Sequence, residues 1–137
     1  MGYRSEVRIL LPEKDFNELV EKTQEFCKTN SGMSYDPDGY NVFKHLDIRQ
    51  ERTGSDEDGN EVKYVYFGWD YIKWYDCDGL VSFIEREILE LEDYHFVRIG
   101  ENWDDLDEYH KLDKTDVDCI GVIRCFDETL EKTKGEN

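Results

Sequence analysis

Apolar and charged residues alternate at the start of the chain and then change to helical spacing. Residues 3–11 follow the alternating pattern, which predicts a strand with one apolar face. Pro12 ends that strand and can open a helix in its first turn. Residues 13–28 predict an amphipathic helix, because helical spacing is followed by Phe16, Leu19, Val20, Thr23, Phe26 and Cys27.

The middle of the chain predicts strands joined by a turn. We expect a second strand over residues 41–52, then a hairpin turn over residues 54–60, where the sequence is GSDEDGN. A third strand covers residues 61–67, and Gly68 predicts a bulge or bend in it. Residues 69–75 continue the strand. Alternation there puts Trp74 on one face and, on the other, Trp69, Tyr71, Lys73 and Tyr75. Core packing explains most of these aromatic side chains, and anchoring of an arginine-rich partner is the alternative.

The second half of the chain opens with another amphipathic segment. Residues 79–91 predict a helix, with Asp76 or Asp78 as its cap. Its buried stripe is expected to hold Leu80, Val81, Ile84, Ile88 and Leu91. Its outer face is nearly all acidic, with Glu85, Glu87, Glu90 and Glu92. Residues 94–99 predict a further strand.

Gly100 opens an acidic segment, residues 101–108, which we expect to pair as a hairpin with a last strand over residues 117–126. The resulting order of strands and helices predicts one α+β domain over residues 1–126. We expect a mostly antiparallel sheet of about five strands with two helices packed on one face, in a ferredoxin-like or related arrangement. Residues 127–137 are polar and predict a C-terminal tail.

Charge narrows the classes of partner. The 137 residues include 34 acids and 17 bases, for a formal net charge of −17. A field of this sign repels nucleic acids and anionic membranes, so we expect neither to be bound directly. It favours basic partners, although solubility alone also explains it. No apolar run reaches transmembrane length and charged residues interrupt any signal peptide, so we expect a cytoplasmic protein.

The sequence carries no recognisable catalytic motif, and we expect no cofactor. The three histidines lie far apart, and no glycine-rich phosphate loop is present. The cysteines form no C-x-x-C pair, which favours buried thiols over a zinc site, at Cys27, Cys77, Cys119 and Cys125. We therefore predict no metal site and treat the protein as more consistent with binding than with catalysis.

The acidic residues are concentrated in residues 85–118, which hold 13 acids and four bases. Carboxylates fixed on a helix and a hairpin can imitate the phosphates of a duplex and occupy a basic groove of another protein. The alternative is a solvated face with no specific partner. The residues expected to contact a partner are Glu87, Glu90, Glu101, Trp103, Asp104, Asp105, Asp107 and Glu108.

A small-ligand module is the second hypothesis. A strand arginine needs a carboxylate or a ligand as its partner, and salt bridges to local acids are the simpler explanation. If the first strand and the strand at residues 94–99 are neighbours, a nucleotide or another anion could bind in a pocket lined by Tyr3, Arg4, Trp74 and Arg98.

A magnesium-dependent nuclease is a third and weaker hypothesis. Asp47 and the Glu61-Val62-Lys63 segment match the carboxylates and lysine of a P-D/E-x-K site. The match arises easily in a chain with 37% charged residues. Residues 56–60 and the acids of residues 101–107 are also considered as oxygen ligands for calcium, although neither spacing fits a known loop.

Three stretches resemble a known group of proteins when taken together. They are GYRSEV at residues 2–7, Trp69 followed by KWY at residues 73–75, and FVRIGE at residues 96–101 followed by two aspartates. The pattern resembles small acidic proteins of bacteriophages and prophages, mostly without assigned function. The resemblance implies a phage-encoded protein in the cytoplasm of a bacterial host. Such proteins often inhibit host defence, including CRISPR and restriction systems. We therefore expect a non-enzymatic accessory protein that binds a host or defence protein.

Overall fold

A proline divides the first strand from the first helix, as the sequence predicts. The computed structural model describes residues 4–29, 42–74, 79–102, 105–112, 115–116, 121–122 and 126–127. The helices are α1 (Glu13–Thr29) and α2 (Gly79–Leu89), with a short 3₁₀ helix at Val42–His45. The strands are β1 (Ser5–Pro12), β2 (Ile48–Asp56), β3 (Glu61–Ile72), β4 (Asp93–Ile99), β5 (Leu106–Leu112), β6 (Thr115–Asp116), β7 (Gly121–Val122) and β8 (Phe126–Asp127).

The main sheet has the strand order β5-β4-β1-β3-β2-β6, and every neighbouring pair is antiparallel. A separate two-stranded ladder joins β7 and β8. The order β4-β1-β3-β2, with one helix after β1 and the other after β3, is the ferredoxin-like arrangement. The predicted α+β class is thus confirmed, and β5 and β6 extend the sheet at its two edges.

Alternation along the strands gives the sheet two buried faces. On one face, both helices pack against side chains of β1, β3 and β4, such as Val7, Phe67 and Phe96. The opposite face has a smaller buried cluster formed by Leu10, Tyr64, Tyr66, Val97 and Ile99. This second cluster explains why β3 and β4 are apolar on both sides, which is unusual for an antiparallel sheet with a single layer of helices.

The second strand begins later than predicted. Residues 42–45 form the 3₁₀ helix instead, and the strand starts at Ile48. The reason is tertiary, because the indole Nε1 of Trp69 donates to the carbonyl oxygen of Val42 at 2.9 Å and Phe43 packs against the Trp69 ring. These contacts fix residues 42–45 in a position where they cannot join the sheet.

The predicted hairpin turn is confirmed, although β2 extends into it as far as Asp56. The Asp56 carboxylate accepts hydrogen bonds from the backbone N–H groups of Asp58 and Asn60 at 2.9 and 2.8 Å. Gly59 has a φ of +84°, in the left-handed region that favours glycine. This carboxylate therefore organises the turn.

The alternation predicted for residues 69–75 is wrong. Ser5 pairs with Ile72 and Val7 with Trp69, so three steps along β3 correspond to two along β1. The resulting β-bulge brings Trp69 and Ile72 to the same face. Trp69 and Trp74 then lie in one core cluster, with ring centroids 5.5 Å apart, rather than on opposite faces.

Gly68 lies beside this bulge and not within it. It pairs with Arg8 of β1 and Ile48 of β2 in regular register. A Cβ at this position would collide with the carbonyl oxygen of Val7 and approach the Arg8 side chain. Glycine is needed here because the backbone carbonyl of Val7, and beside it the Arg8 side chain, lie too close to the β3 backbone to leave room for a Cβ.

The last residues of the acidic segment pair with β4, a neighbour that the sequence did not predict. Residues 106–112 form β5 and pair with β4, so that Arg98 lies opposite Asp107. The turn between them is closed by hydrogen bonds between Gly100 and Asp105, from N to O at 2.8 Å, and between Asp105 and Asn102, at 3.1 Å. Most of residues 117–126, the tail after residue 127 and three of the four cysteines fall outside the described residues.

Helix α2 ends at Leu89, two residues before the predicted end. Leu80, Val81, Ile84 and Ile88 form its buried stripe as expected. Cys27 is a buried thiol, also as expected. Within the described residues, neither helix is long and apolar enough to cross a membrane.

Candidate functional site

Arg98 gathers the carboxylates that follow β4 into one ion-pair cluster. Its side chain is 11% exposed. The guanidinium donates from Nη2 and Nη1 to the two oxygens of Asp105, at 2.5 and 3.3 Å, and from Nε to Asp107 at 2.9 Å. Nη1 also donates to the Ser5 hydroxyl at 2.9 Å. We call Arg98, Ser5, Asp105 and Asp107 the Arg98 cluster.

The Arg98 cluster follows directly from strand register. Arg98 stands between Val7 of β1 and Asp107 of β5, so residues from both neighbouring strands can reach its guanidinium. Burial alone would lower the pKa of Arg98, but its hydrogen bonds and ion pairs with the two aspartates outweigh burial and raise it. Salt bridges to local acids, the simpler of the two explanations, therefore account for this strand arginine.

The expected ligand pocket is only partly assembled. β1 and β4 are neighbours, as that hypothesis requires. The Arg4 guanidinium lies 5.1 Å from the Tyr71 ring centroid, which is a cation–π distance. Trp74 is buried in the core, and its Nε1 donates to Glu85 at 2.5 Å. Arg4, Trp74 and Arg98 thus each have protein partners, and Tyr3 lies outside the described residues.

A buried histidine engages another of the expected contact residues. His95 of β4 is 2% exposed, and its Nε2 lies 2.7 Å from a Glu108 carboxylate oxygen. Burial lowers the pKa of His95, while the hydrogen bond and charge of Glu108 act in the opposite direction and His110 adds to the lowering. A carboxylate oxygen can only accept, so Nε2 carries a proton and donates to Glu108, and the lowered pKa favours the neutral ring.

The remaining expected contact residues belong to two separate segments, the end of α2 and the turn after β4. Glu87 accepts a hydrogen bond from Lys22 Nζ at 3.0 Å, which links α2 to α1. Glu101 accepts from the backbone N–H of Arg4 at 2.5 Å. Glu90 follows α2 at the other end of the sheet. Trp103 and Asp104 are outside the described residues. The eight residues therefore do not form one continuous surface within the described part of the chain.

A second concentration of acids forms an open cleft at the opposite ends of β1 and β4. It has a volume of about 690 Å³ and lies between the start of α1, the β2–β3 turn and the connection from α2 to β4. We call it the acidic cleft. Its lining is Pro12, Lys14, Asp15, Asp56, Glu57, Asp58, Val62, Glu90, Leu91, Glu92 and Asp93.

The electrostatics of the acidic cleft differ from those of the Arg98 cluster. Its described lining residues include seven acids and one base, which gives them a formal charge of −6. The pKa of Asp15 is raised, mainly by burial and then by Glu18, with smaller contributions from Asp93 and Glu92. The pKa of Asp56 is lowered, mainly by the backbone hydrogen bond from Asn60. The cleft is therefore a place where carboxylates repel one another and where a cation would be attracted.

Sequence reasoning missed this cleft because its acids come from three distant segments. The signals were present separately, in the DED run of the turn and in the acids that follow α2. Only the β1–β4 and β2–β3 pairings bring these segments to one end of the sheet. Of the expected contact residues that the structure describes, Glu90 alone also lines the cleft.

Sequence reasoning also missed the role of Arg8, a charged residue within β1. This residue is 3% exposed. Its guanidinium donates to the carbonyl oxygens of Val7 and Trp69 at 3.1 and 3.0 Å and to the Asp70 carboxylate at 2.5 Å. Arg8 therefore stabilises the fold beside the bulge, where it bonds to two backbone carbonyls.

The residues of the proposed nuclease site are far apart. Asp47 accepts a hydrogen bond from the backbone N–H of Asp70 at 2.8 Å, and its own N–H donates to Gly68. Glu61 lies at the other end of β3, seven residues before Gly68, which is roughly 23 Å along a strand. These carboxylates cannot hold one metal ion. Over the part of the chain that the structure describes, no group of three or more His, Cys, Asp or Glu residues could hold a metal ion.

Comparison with known proteins adds no further constraint. No protein-family model, curated protein or solved structure matches this chain. A proposal for function therefore rests on the charge and geometry of this chain alone.

Proposed function

We propose that this protein is a non-enzymatic accessory protein, encoded by a phage and acting in the bacterial cytoplasm, that binds a basic surface of a host or defence protein. The observation that carries the proposal is the acidic cleft, with its seven acids and one lysine. The resemblance to small acidic phage proteins supplies the biological setting. A nucleic-acid mimic, which inhibits by occupying a cationic groove, is the form of binding that this charge favours.

The cleft suits this role better than the acids around Arg98. Asp105 and Asp107 already neutralise a guanidinium, and Glu108 accepts a hydrogen bond from a buried histidine. The negative charge of these groups is already partly balanced within the chain, so a basic partner would gain less from them. The cleft has an excess of negative charge that a basic partner would relieve, so binding there would reduce repulsion between carboxylates.

The charge also suggests how the partner is recognised. A net charge of −17 steers a cationic protein over long range, and a concave acidic surface concentrates that field. Arginine or lysine side chains of the kind that line a nucleic-acid groove would enter the cleft. Affinity should then fall steeply with salt, because the attraction is between charges that water and ions can screen.

The test compares two triple reversals with the same change in charge. The cleft variant is Glu57→Lys, Asp58→Lys and Glu90→Lys, and the control reverses three exposed acids elsewhere, Glu21, Glu25 and Glu51. Binding of a fluorescent arginine-rich peptide is followed by anisotropy at two salt concentrations. We expect the cleft variant to lose about tenfold or more in affinity, the cost of roughly 1.4 kcal/mol, and the control to lose much less.

A second measurement connects the peptide to a biological partner. Bacterial lysate is passed over the immobilised wild-type protein and over both variants, and the retained proteins are identified by mass spectrometry. A true partner binds the wild type and the control but not the cleft variant. Purified, it should lose a DNA or RNA probe when the wild-type protein is added. Equal retention by all three proteins would contradict the proposal.

A further inference from the structure

In the described part of the chain, β5 is an edge strand of the main sheet. In the strand order of the described residues, β5 pairs with β4 on one side and with no strand on the other. It is seven residues long and its surroundings are open, since Leu106 is 47% exposed and Tyr109 is 43% exposed. His110 and Lys111 are also exposed. An edge of this length presents backbone N–H and C=O groups that can pair with another strand.

The sequence of β5 is complementary to itself in the antiparallel direction. Its residues are LDEYHKL, with Tyr109 at the centre. A two-fold axis through Tyr109 puts Asp107 opposite Lys111 of a second copy and Glu108 opposite His110. The flanking leucines, at the two ends of the strand, also face each other. Each acid therefore meets a basic or protonatable residue, and the two-fold axis repeats every pair.

Other registers and the other edge lack this property. A shift of one residue along β5 puts Asp107 opposite either His110 or Leu112 and breaks the symmetric set. The equivalent axis in β2 passes through Arg52 and pairs Ile48 with Asp56, without any acid opposite a base. The end of β2 is also covered, because β6 pairs with Ser55 and Asp56.

We propose that β5 pairs with β5 of a second copy of this chain, centred on Tyr109, to form a symmetric dimer with one continuous sheet. Cross-strand pairs of opposite charge and the central aromatic pair would stabilise this register. Asp107 and Glu108 can take part while keeping Arg98 and His95, because a carboxylate has acceptor sites for more than one donor. The interface is small, so the dimer dissociates in about the micromolar range or above.

This dimer is independent of the proposed function. The acidic cleft is built from α1, the β2–β3 turn and the residues that follow α2, and contains no residue of β5. Dimerisation leaves one cleft on each copy, and two linked clefts would bind a partner with repeated basic sites more tightly than one.

The test uses two charge reversals that should each prevent pairing of identical copies and restore it when mixed. In Lys111→Glu, Asp107 faces a glutamate, and in Asp107→Lys the introduced lysine faces Lys111. A mixture of the two variants again pairs acids with bases. Sedimentation velocity in 0.15 M salt, from about 10 μM to 1 mM, should show the wild type approaching twice the 16.4 kDa chain mass. Each variant alone should stay monomeric, and the equimolar mixture should form a dimer.

Lys63→Glu supplies the matched control, because Lys63 is an exposed strand lysine away from β5 and the charge change is the same. This variant should dimerise like the wild type. Circular dichroism checks that Asp107→Lys, which removes one Arg98 partner, remains folded. If it does not, Lys111→Glu and Lys63→Glu decide the matter alone, and equal dimerisation of the two would overturn the proposal. A wild type that is monomeric up to about 1 mM would overturn it as well.

Discussion

The Arg98 cluster and the acidic cleft stand at opposite ends of β1 and β4, and the same residue types do opposite things in them. In the cluster, two aspartates surround a buried guanidinium and stabilise the hairpin that carries them. In the cleft, seven acids share one lysine, and the pKa of Asp15 is raised. A count of acids along the chain treats both sets alike, whereas the fold pairs one set with a buried guanidinium and leaves the other with an excess of negative charge.

This difference moves the candidate binding surface from the segment after Gly100 to the acidic cleft. The sequence concentrates acids in residues 85–118, and the most obvious surface there is the segment after Gly100. The structure shows that Asp105, Asp107 and Glu108 of this segment are bonded within the chain. The sequence signals of the cleft are weaker, but its excess of negative charge is greater, because Lys14 is the one base among its described lining residues.

Replacement of Arg98 should lower the free energy of unfolding more than any of the changes below. A small loss would contradict the stabilising role of the aspartates that surround it. Arg98→Met leaves two aspartates and a serine without their shared donor, and truncating one partner of a buried ion pair typically costs about 3 kcal/mol. Urea unfolding followed by circular dichroism measures the loss. Arg86→Met removes the same charge from an exposed position of α2 and should change the free energy of unfolding little. Equal effects of both substitutions would show that the cluster contributes only charge.

A pair of aspartate substitutions should change stability in opposite directions. Asp107→Asn weakens a charged hydrogen bond to Arg98 and is expected to lower the free energy of unfolding by about 1 kcal/mol at pH 7. Asp15→Asn removes a charge that the fold disfavours and should raise it. The raised pKa of Asp15 means that its penalty is full above the folded-state pKa and disappears as pH falls toward 3.8. The advantage of Asp15→Asn should therefore vanish in acid.

Denaturation curves of the two variants at pH 7 and near pH 4 give this comparison. A destabilised Asp15→Asn at pH 7 would mean that interaction with the start of α1 outweighs repulsion in the cleft. It would also weaken the argument that the cleft gains by binding a cation.

Much of the fold could be predicted because its signals are local. The period of β1, Pro12 and the apolar stripe of α2 lie within short stretches of chain, and each prediction was confirmed within a few residues. The order of strands and helices was enough to predict the α+β class. The observed strand order is that of the ferredoxin-like arrangement, as predicted.

The parts that failed depend on contacts between distant residues. The bulge after Trp69 depends on pairing with Ser5, and the 3₁₀ helix depends on Trp69 reaching Val42. Neither contact changes the pattern of apolar residues nearby. Burial of Arg8 was hidden for the same reason, although a glycine at position 68, opposite an arginine, is a signal that could have suggested it. The cleft likewise exists only after three separate segments meet.

The smallest expected effect on stability concerns His95. Its pH dependence distinguishes a neutral histidine that donates to Glu108 from a charged histidine that forms an ion pair with it. Burial, with a smaller contribution from His110, lowers the pKa of His95 below 6.5, although the hydrogen bond and charge of Glu108 act in the opposite direction. As pH falls below 6.5, the unfolded chain takes up a proton while the folded chain does not, so the folded state loses stability until the lowered folded-state pKa is passed. His95→Gln should remove this loss between pH 7 and pH 5. His45→Gln, at an exposed position in the 3₁₀ helix, should keep it.

If wild-type stability instead rose as pH fell through this range relative to His95→Gln, the histidine would be gaining charge in the fold. Glu108 would then be an ion-pair partner like the aspartates around Arg98, and every bonded acid of the hairpin would be held by a cation.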